Sequence, residues 1–224
     1  MGFLAPVPAR SFTPYAASHL LWRAGFGGTW EEAEELSSRG LDAAVDALVD
    51  YTPSGDHFVA PEAIRTPPES PHAFEARLKA IEDEDIRQKE RQEYYRVEND
   101  LIRDLQAWWL SRMLASAPLP GKIPPLEEKL TLFWHSHFAS GFPDKIRHTY
   151  PLWRQNETFR SLAIKPFPEQ LKALIQDPAM LVWLDNASSN RGNPNENFAR
   201  ELMELFTLGV GHYSEADVKE AARA

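Results

Sequence analysis

Two histidines separated by a single residue, His135 and His137, are the first residues whose type and spacing could support chemistry. An imidazole can bind a metal ion or transfer a proton near neutral pH. In extended backbone both side chains would share a face and could chelate one metal ion, whereas in an α-helix they point about 200° apart. The surrounding segment EEKLTLFWHSHFAS is typical of a buried helix. We therefore expect one histidine at most to reach a site, or both to be hydrogen-bonded in the core.

A second polar group lies in the segment NENFARELMELF, where Glu196, Arg200 and Glu204 are spaced i, i+4 and i+8. This spacing favours a ladder of ion pairs that needs no function. Alternatively, Glu196 could act as a base or bind a cation, with Arg200 orienting it. Glutamates together with a histidine from a neighbouring helix resemble the ligand sets found inside helix bundles. The candidate catalytic residues are His135, His137, Glu196, Arg200 and Glu201.

The turn-forming segment DNASSNRGNPN separates two apolar helical segments. Asparagine and aspartate favour such turns because their side chains cap neighbouring backbone groups. Their oxygens also suit a hard cation such as calcium, although the spacing does not match an EF-hand loop. A plain loop that caps two helices and a cation site are both open. The candidate metal ligands are His135, Glu201, Asp185 and Asn195, and the implied cofactor is a divalent metal ion.

The composition excludes several classes of protein. The 224 residues carry 24 Lys and Arg against 33 Asp and Glu, and a formal charge of −9 argues against a dedicated nucleic-acid-binding protein. The absence of cysteine excludes a disulfide scaffold, a thiolate zinc site and a cysteine nucleophile. No run approaches about 18 consecutive apolar residues, so no membrane span is predicted. The N-terminus, MGFLAPVPARSF, does not have the apolar core of a signal peptide.

The elements that must position these residues are helical. Caps, prolines and glycines recur along the chain, as in the capping-box sequence Thr29–Glu32, and no segment shows the two-residue alternation of a strand. The predicted fold class is all-α, an irregular multi-helix bundle with Pro-rich connections. We expect a single domain over 1–224, an irregular Pro-rich connection over 52–71, and one long helix or arm over 72–116 with a charged, solvated first half. A last helix begins at Ser214, near the chain end, so we expect a fragment of a longer domain.

Three segments occur in order from about His19 to Ala224, namely HLLWRAGFGGTWEEAEEL, EEKLTLFWHSHFAS and DPAMLVWLDNASSNRGNPNENFARELMELFTLGVGHYSEADVKEAARA. Together they resemble the bacterial domain of unknown function 1800 (DUF1800) family. That family usually has Asn in place of Ser136 and continues past the final alanine into a Leu-Thr-Gly-Trp segment, so the resemblance covers the N-terminal and central part of the domain. The residues that match its motifs are His135, His137, Asn195, Glu196, Arg200, Glu201 and Glu204.

The resemblance implies no reaction, since the family has no established one. Members are often exported, and their genes often lie beside one for a secreted protein with a sulfatase- or phosphatase-like fold. The sequence thus favours a structural or partner-binding module that works with such a neighbouring exported protein. The alternative is a metal-dependent enzyme, a hydrolase or oxidoreductase, with a His/Glu site between helices over 126–140 and 194–209. Carbohydrate or peptide binding through exposed Trp22, Trp30 or Trp153 is a weaker third hypothesis.

Overall fold

The described part of the chain is helical. The computed structural model describes residues 7–8, 11–53, 58–67, 69–119, 122–186, 189–190 and 192–223. Within these ranges the helices are joined by loops. The only β-type pairing is in two isolated β-bridges, and there is no strand. The prediction of an all-α fold is confirmed.

The helices, in chain order, are α1 (Pro14–Ala24), α2 (Trp30–Ser38), α3 (Leu41–Val49), α4 (Glu62–Arg65), α5 (Pro71–Lys79), α6 (Glu84–Leu114), α7 (Pro125–His137), α8 (Thr149–Ser161), α9 (Phe167–Leu174), α10 (Pro178–Trp183), α11 (Glu196–Glu201), a π-helix (Leu202–Thr207) and α12 (Glu215–Arg223). Among the described residues, none of these helices has the length and apolar character needed to cross a membrane.

Side-chain caps fix where several helices begin. The hydroxyl of Thr29 accepts a hydrogen bond from the backbone N–H of Glu32 at 3.2 Å, and the Glu32 carboxylate accepts one from the N–H of Thr29 at 2.7 Å. This is the predicted capping box at the start of α2. Ser70 and Asp177 cap α5 and α10 with their side-chain oxygens. Because the first N–H groups of a helix have no partner within it, these contacts define the helix starts.

The first of two compact units comprises residues 1–61 and 106–133. Its apolar core comes from α1, α2 and α3, which are short helices that each bury one face. Helices of this length are unstable alone in water, so their mutual packing holds them. The core residues are Ala17, Leu21, Ala33, Leu36, Ala44 and Leu48.

The same unit contains a buried cluster of ion pairs. Arg112 of α6 donates from Nε to Glu128 and from Nη2 to Glu127, the latter at 3.1 Å. The indole Nε1 of Trp109 also donates to Glu128, at 2.8 Å. The exposed fractions of Arg112, Glu127 and Glu128 are 3%, 1% and 0%. Because charges removed from water are costly unless they are paired, this cluster ties the end of α6 to the start of α7.

The second compact unit comprises residues 62–105 and 134–224, and it contains all the candidate site residues. Its core is rich in aromatic side chains, with Trp134 stacked on Phe138 at a centroid distance of 5.6 Å. The indole Nε1 of Trp134 donates to the carbonyl of Ala163 at 3.0 Å, which gives its one polar atom a partner. The buried core residues are Phe138, Phe159, Leu174, Met180, Leu184 and Phe206.

The segment predicted as one long helix over 72–116 contains two helices, α5 and α6, with a break at 80–83. The carboxylate of Asp83 accepts hydrogen bonds from the N–H groups of Asp85 and Ile86 at 2.9 and 3.1 Å, and so starts a new helix. An aspartate in this position competes with the preceding helix for backbone donors. The charged segment is therefore interrupted without glycine or proline.

Helix α5 packs back against α6 through the rings of Phe74 and Tyr94, whose centroids are 3.5 Å apart. The first ten residues of α6, 84–93, are exposed except for Arg87, which is partly buried. The Pro-rich connection predicted over 52–71 includes the short helix α4. Residues 54–57 and 68 of this connection lie outside the described residues.

Candidate functional site

A cleft of about 500 Å³ lies in the second unit, where the end of α7 meets α11 and the π-helix. Its apolar walls come from Ala139, Trp183, Leu184, Leu205 and Phe206. A concave, largely apolar site with a few convergent polar groups is the usual form of a ligand pocket. The polar side chains that line it are His137, Lys145, Asp185, Asn197 and Glu201.

His137 is the last residue of α7, and its ring Nε2 lies 3.3 Å from the carbonyl oxygen of Phe206. A carbonyl can only accept, so Nε2 carries a proton and donates, and in the neutral imidazole Nδ1 carries the lone pair. The Phe206 carbonyl lies in the last turn of the π-helix, where carbonyls have no partner within the helix. The histidine thus satisfies a helix end and is held in one tautomer by it.

Lys145 and Asp185 form an ion pair on another wall of the cleft, with Nζ 2.6 Å from Oδ2. The same ammonium donates to the carbonyl of Trp183 at 3.0 Å, at the end of α10. A cation is favourable there because the helix dipole places partial negative charge at the C-terminus. Asp185 has φ 58°, in the left-handed region that aspartate tolerates better than most residues. The pair therefore fixes the turn that follows α10 against the cleft.

Asn197 and Glu201 come from α11 and are four residues apart, so they lie on the same face of the helix. Their helix is started by Asn195, whose side-chain oxygen accepts from the N–H groups of Asn197 and Phe198 at 2.9 and 3.3 Å. The amide of Asn195 also donates to the carbonyl of Leu184 at 2.9 Å. Asn195 is thus a cap that orients α11, while Asn197 and Glu201 face the cleft.

His135 is placed differently from His137 and does not line the cleft. Its Nε2 lies 3.1 Å from Nδ2 of Asn156, whose Oδ1 accepts from Arg160 at 2.6 Å. Because Oδ1 faces the guanidinium, the amide nitrogen must face the imidazole, and Nε2 accepts from it. Burial, together with the positive charge of Arg160, lowers the pKa of His135 to about 4. His135 is therefore a neutral, hydrogen-bonded member of the core.

The predicted ion-pair ladder along α11 is replaced by contacts to the chain that follows it. Arg200 donates from both terminal nitrogens to Glu215 of α12, at 2.6 and 2.7 Å. The carboxylate of Glu204 accepts from the hydroxyl of Tyr213 at 2.6 Å. The hydrogen bond to Glu215 is the main cause that raises the pKa of the Arg200 guanidinium, and the charge of Glu196 makes a smaller contribution. Glu196 does not line the cleft. These residues dock α12 on α11.

The predicted metal ligands are divided by the fold. Glu201 and Asp185 line the cleft, whereas His135 is bonded to Asn156 and Asn195 caps α11. In the ranges that the structure describes, no group of three or more His, Asp and Glu residues is placed to hold a metal ion. The four-residue ligand set is therefore not assembled in this arrangement.

The cleft residues that are missing from the sequence-based candidates include Lys145, Trp183 and Asn197. Asn197 carries a signal, because its i, i+4 spacing to Glu201 predicts a shared helix face. Lys145 lies in a loop, where no periodicity indicates which way a side chain points. Trp183 has the helical apolar pattern of any core residue, and its place at the cleft depends on tertiary packing.

The fold and site define an all-α protein whose second unit contains a cleft with apolar walls and five polar side chains. The chain belongs to the family described as "Protein of unknown function (DUF1800)", which matches residues 19–224 and confirms the resemblance noted in the sequence. No curated protein and no solved structure matches the chain. The family description names no activity.

Proposed function

We propose that the second unit binds a small polar substrate in the cleft and carries out acid–base chemistry on it with His137 and Glu201. The observation that supports this most is the convergence of five polar side chains, from four segments of the chain, around one cavity of about 500 Å³. Such convergence on a concave apolar site is the feature expected of an active site.

The two central residues would have complementary roles. His137 presents an imidazole whose tautomer is set by the Phe206 carbonyl, so Nδ1 is the nitrogen that can accept a proton. Glu201, which also lines the cleft, supplies a carboxylate. Trp183 offers an aromatic face for an apolar or ring-shaped part of the substrate. The Lys145–Asp185 pair holds the wall in place.

The test uses the chain described here and three chromogenic probes: p-nitrophenyl acetate, p-nitrophenyl phosphate and p-nitrophenyl β-D-glucopyranoside. The variants are His137→Gln and Glu201→Gln, with His72→Gln as a matched control because His72 is exposed on α5. We expect turnover of one probe that falls by about 100-fold or more in both cleft variants and is unchanged in the control. Equal rates in wild type and His137→Gln for every probe would contradict the proposal.

A metal-dependent form of this enzyme, a hydrolase or oxidoreductase, places a divalent ion on Glu201 and Asp185, the two predicted ligands that line the cleft. Carboxylates are ligands for hard divalent cations. Elemental analysis of protein purified without chelators tests this version. Stoichiometric metal that is lost in Glu201→Gln supports it, and metal-free protein with full activity contradicts it.

A second candidate function is the partner-binding role, with the neighbouring exported protein of sulfatase- or phosphatase-like fold as the partner. It is favoured by the exposed, charged segment 84–93 of α6. Charged helix faces of this kind are often exposed to solvent without binding a partner. The test therefore measures binding itself. We expect Lys89→Glu and Arg91→Glu to lower co-purification with that protein, with exposed Lys172→Glu of α9 as control. Unchanged recovery in all three variants would remove this candidate.

A further inference from the structure

A second cavity, of about 310 Å³, lies in the first unit and involves none of the residues discussed for the cleft. It is formed by Arg39 just after α2, by α3 and the residues after it, and by residues 117–119, 122, 124 and 125. Three prolines, a leucine and two alanines give it rigid apolar walls. Its polar lining residues are Arg39, Tyr51, Thr52 and Lys122.

The charge of this cavity is opposite to that of the chain. Two of its lining residues are cationic and none is a carboxylate, in a chain with a formal charge of −9. The guanidinium of Arg39 uses one terminal nitrogen to bind Glu35, at 2.6 Å. The other N–H groups of this guanidinium can donate to a further acceptor. The ammonium of Lys122 has no ion-pair partner among the residues that the structure describes.

Tyr51 adds a neutral donor to these two cations. Burial is the main cause that raises the pKa of its hydroxyl, and the charges of Glu127 and Glu128 contribute. The hydroxyl therefore stays protonated and can donate a hydrogen bond. The two glutamates themselves are at most 1% exposed and are bonded to Arg112 and Trp109, and neither lines the cavity.

We propose that this cavity binds a small organic carboxylate with an apolar body. The carboxylate would lie between Lys122 and Arg39 and accept from the Tyr51 hydroxyl, since charge-assisted hydrogen bonds are the strongest that such donors make. The apolar body would pack against the proline-rich walls. A cavity of about 310 Å³ is at the small end of ligand pockets, which suits a ligand of one or two rings.

Isothermal titration of the chain with naphthalene-2-carboxylate tests this proposal, with neutral 2-naphthamide as the matched ligand. We expect saturable one-to-one binding of the carboxylate and binding of the amide that is about tenfold weaker or worse. Lys122→Met and Arg39→Gln should each weaken carboxylate binding by about tenfold, because both residues are at the surface and can be changed without disturbing the core. Tyr51→Phe should weaken it by a smaller factor.

Lys172→Met, which removes an exposed cation from α9, is the control and should bind as wild type. The proposal is overturned if the carboxylate shows no saturable binding, if the amide binds as tightly as the carboxylate, or if Lys122→Met and Arg39→Gln both bind as wild type. Circular dichroism of each variant verifies that the helices are retained, and a variant that loses them is replaced by Lys122→Gln or Arg39→Lys.

Discussion

Replacing Arg112 by methionine should cost the protein a large part of its stability. The arginine is 3% exposed and donates to two glutamates that are at most 1% exposed. Methionine keeps the apolar volume of the stem but removes two charge-assisted hydrogen bonds, each of about 1.5–3 kcal/mol. It also leaves two buried carboxylates without this counterion. Breaking a buried ion pair from one side typically costs about 3–5 kcal/mol, and we expect a loss in that range for the free energy of unfolding.

Urea denaturation, followed by tryptophan fluorescence and circular dichroism together, measures this loss. Arg103→Met is the matched control on the same helix, because Arg103 is 75% exposed and its ion pair with Asp100 is 3.4 Å long. An exposed pair of this kind contributes about 0.2–1 kcal/mol. A loss for Arg112→Met no larger than that of Arg103→Met would refute the view that the buried cluster is an essential tie within the first unit.

Three further predictions concern the second unit. Asn195→Ala should lower the free energy of unfolding by about 1–2 kcal/mol, because the cap of α11 is lost, as measured by urea denaturation. His135 should titrate near pH 4 by NMR. The pKa of this imidazole is about 4 in the folded protein and 6.5 in the unfolded chain, so its contribution to the free energy of unfolding is fully present above pH 6.5. As the pH falls from 6.5 towards 4, that contribution is lost at up to about 1.4 kcal/mol per pH unit. Arg200→Met should leave the urea midpoint almost unchanged, because its pair with Glu215 is exposed to solvent.

Asn195→Asp keeps the capping oxygen but loses the amide that donates to Leu184, so its stability should lie between those of wild type and Asn195→Ala. Equal stability of all three proteins would contradict the role of the cap. A His135 resonance that titrates near 6.5 would contradict its burial beside Arg160. A large loss in Arg200→Met would mean that the docking of α12 matters more than surface ion pairs usually do.

Much of the fold could be predicted because its signals are local. The capping box at Thr29, the prolines at helix starts and the glycines after helix ends act within one turn of the chain. The break before α6 also has a local cause, the carboxylate of Asp83, but the strong helix formers around it outweigh that signal in the sequence. Helix propensity over a long segment thus predicted one helix where a single capping residue makes two.

The site was less predictable because it depends on which elements meet. The 100° rotation per residue correctly separates the directions of His135 and His137, but it does not say which of them meets α11. Arg200 illustrates the same limit, since the i, i+4 pattern offers it neighbours on its own helix while the fold offers Glu215. Partners distant in sequence are chosen by packing, which a one-dimensional pattern does not contain.

The π-helix at Leu202–Thr207 makes the spacing of the chain, as well as its composition, a determinant of the cleft. A π-turn is an α-helix with an extra residue in its ladder, and such turns are frequent at functional sites. Deleting one residue between Glu201 and Phe206 would let this segment close into an α-helix, with the following backbone still nearly in phase because the π-turn has already absorbed the extra residue. Glu201 and the Phe206 carbonyl would keep their side of the helix, but one residue fewer would be available to line the cleft there. A deletion at this point should therefore change the wall of the cleft rather than the direction of the chain that follows it.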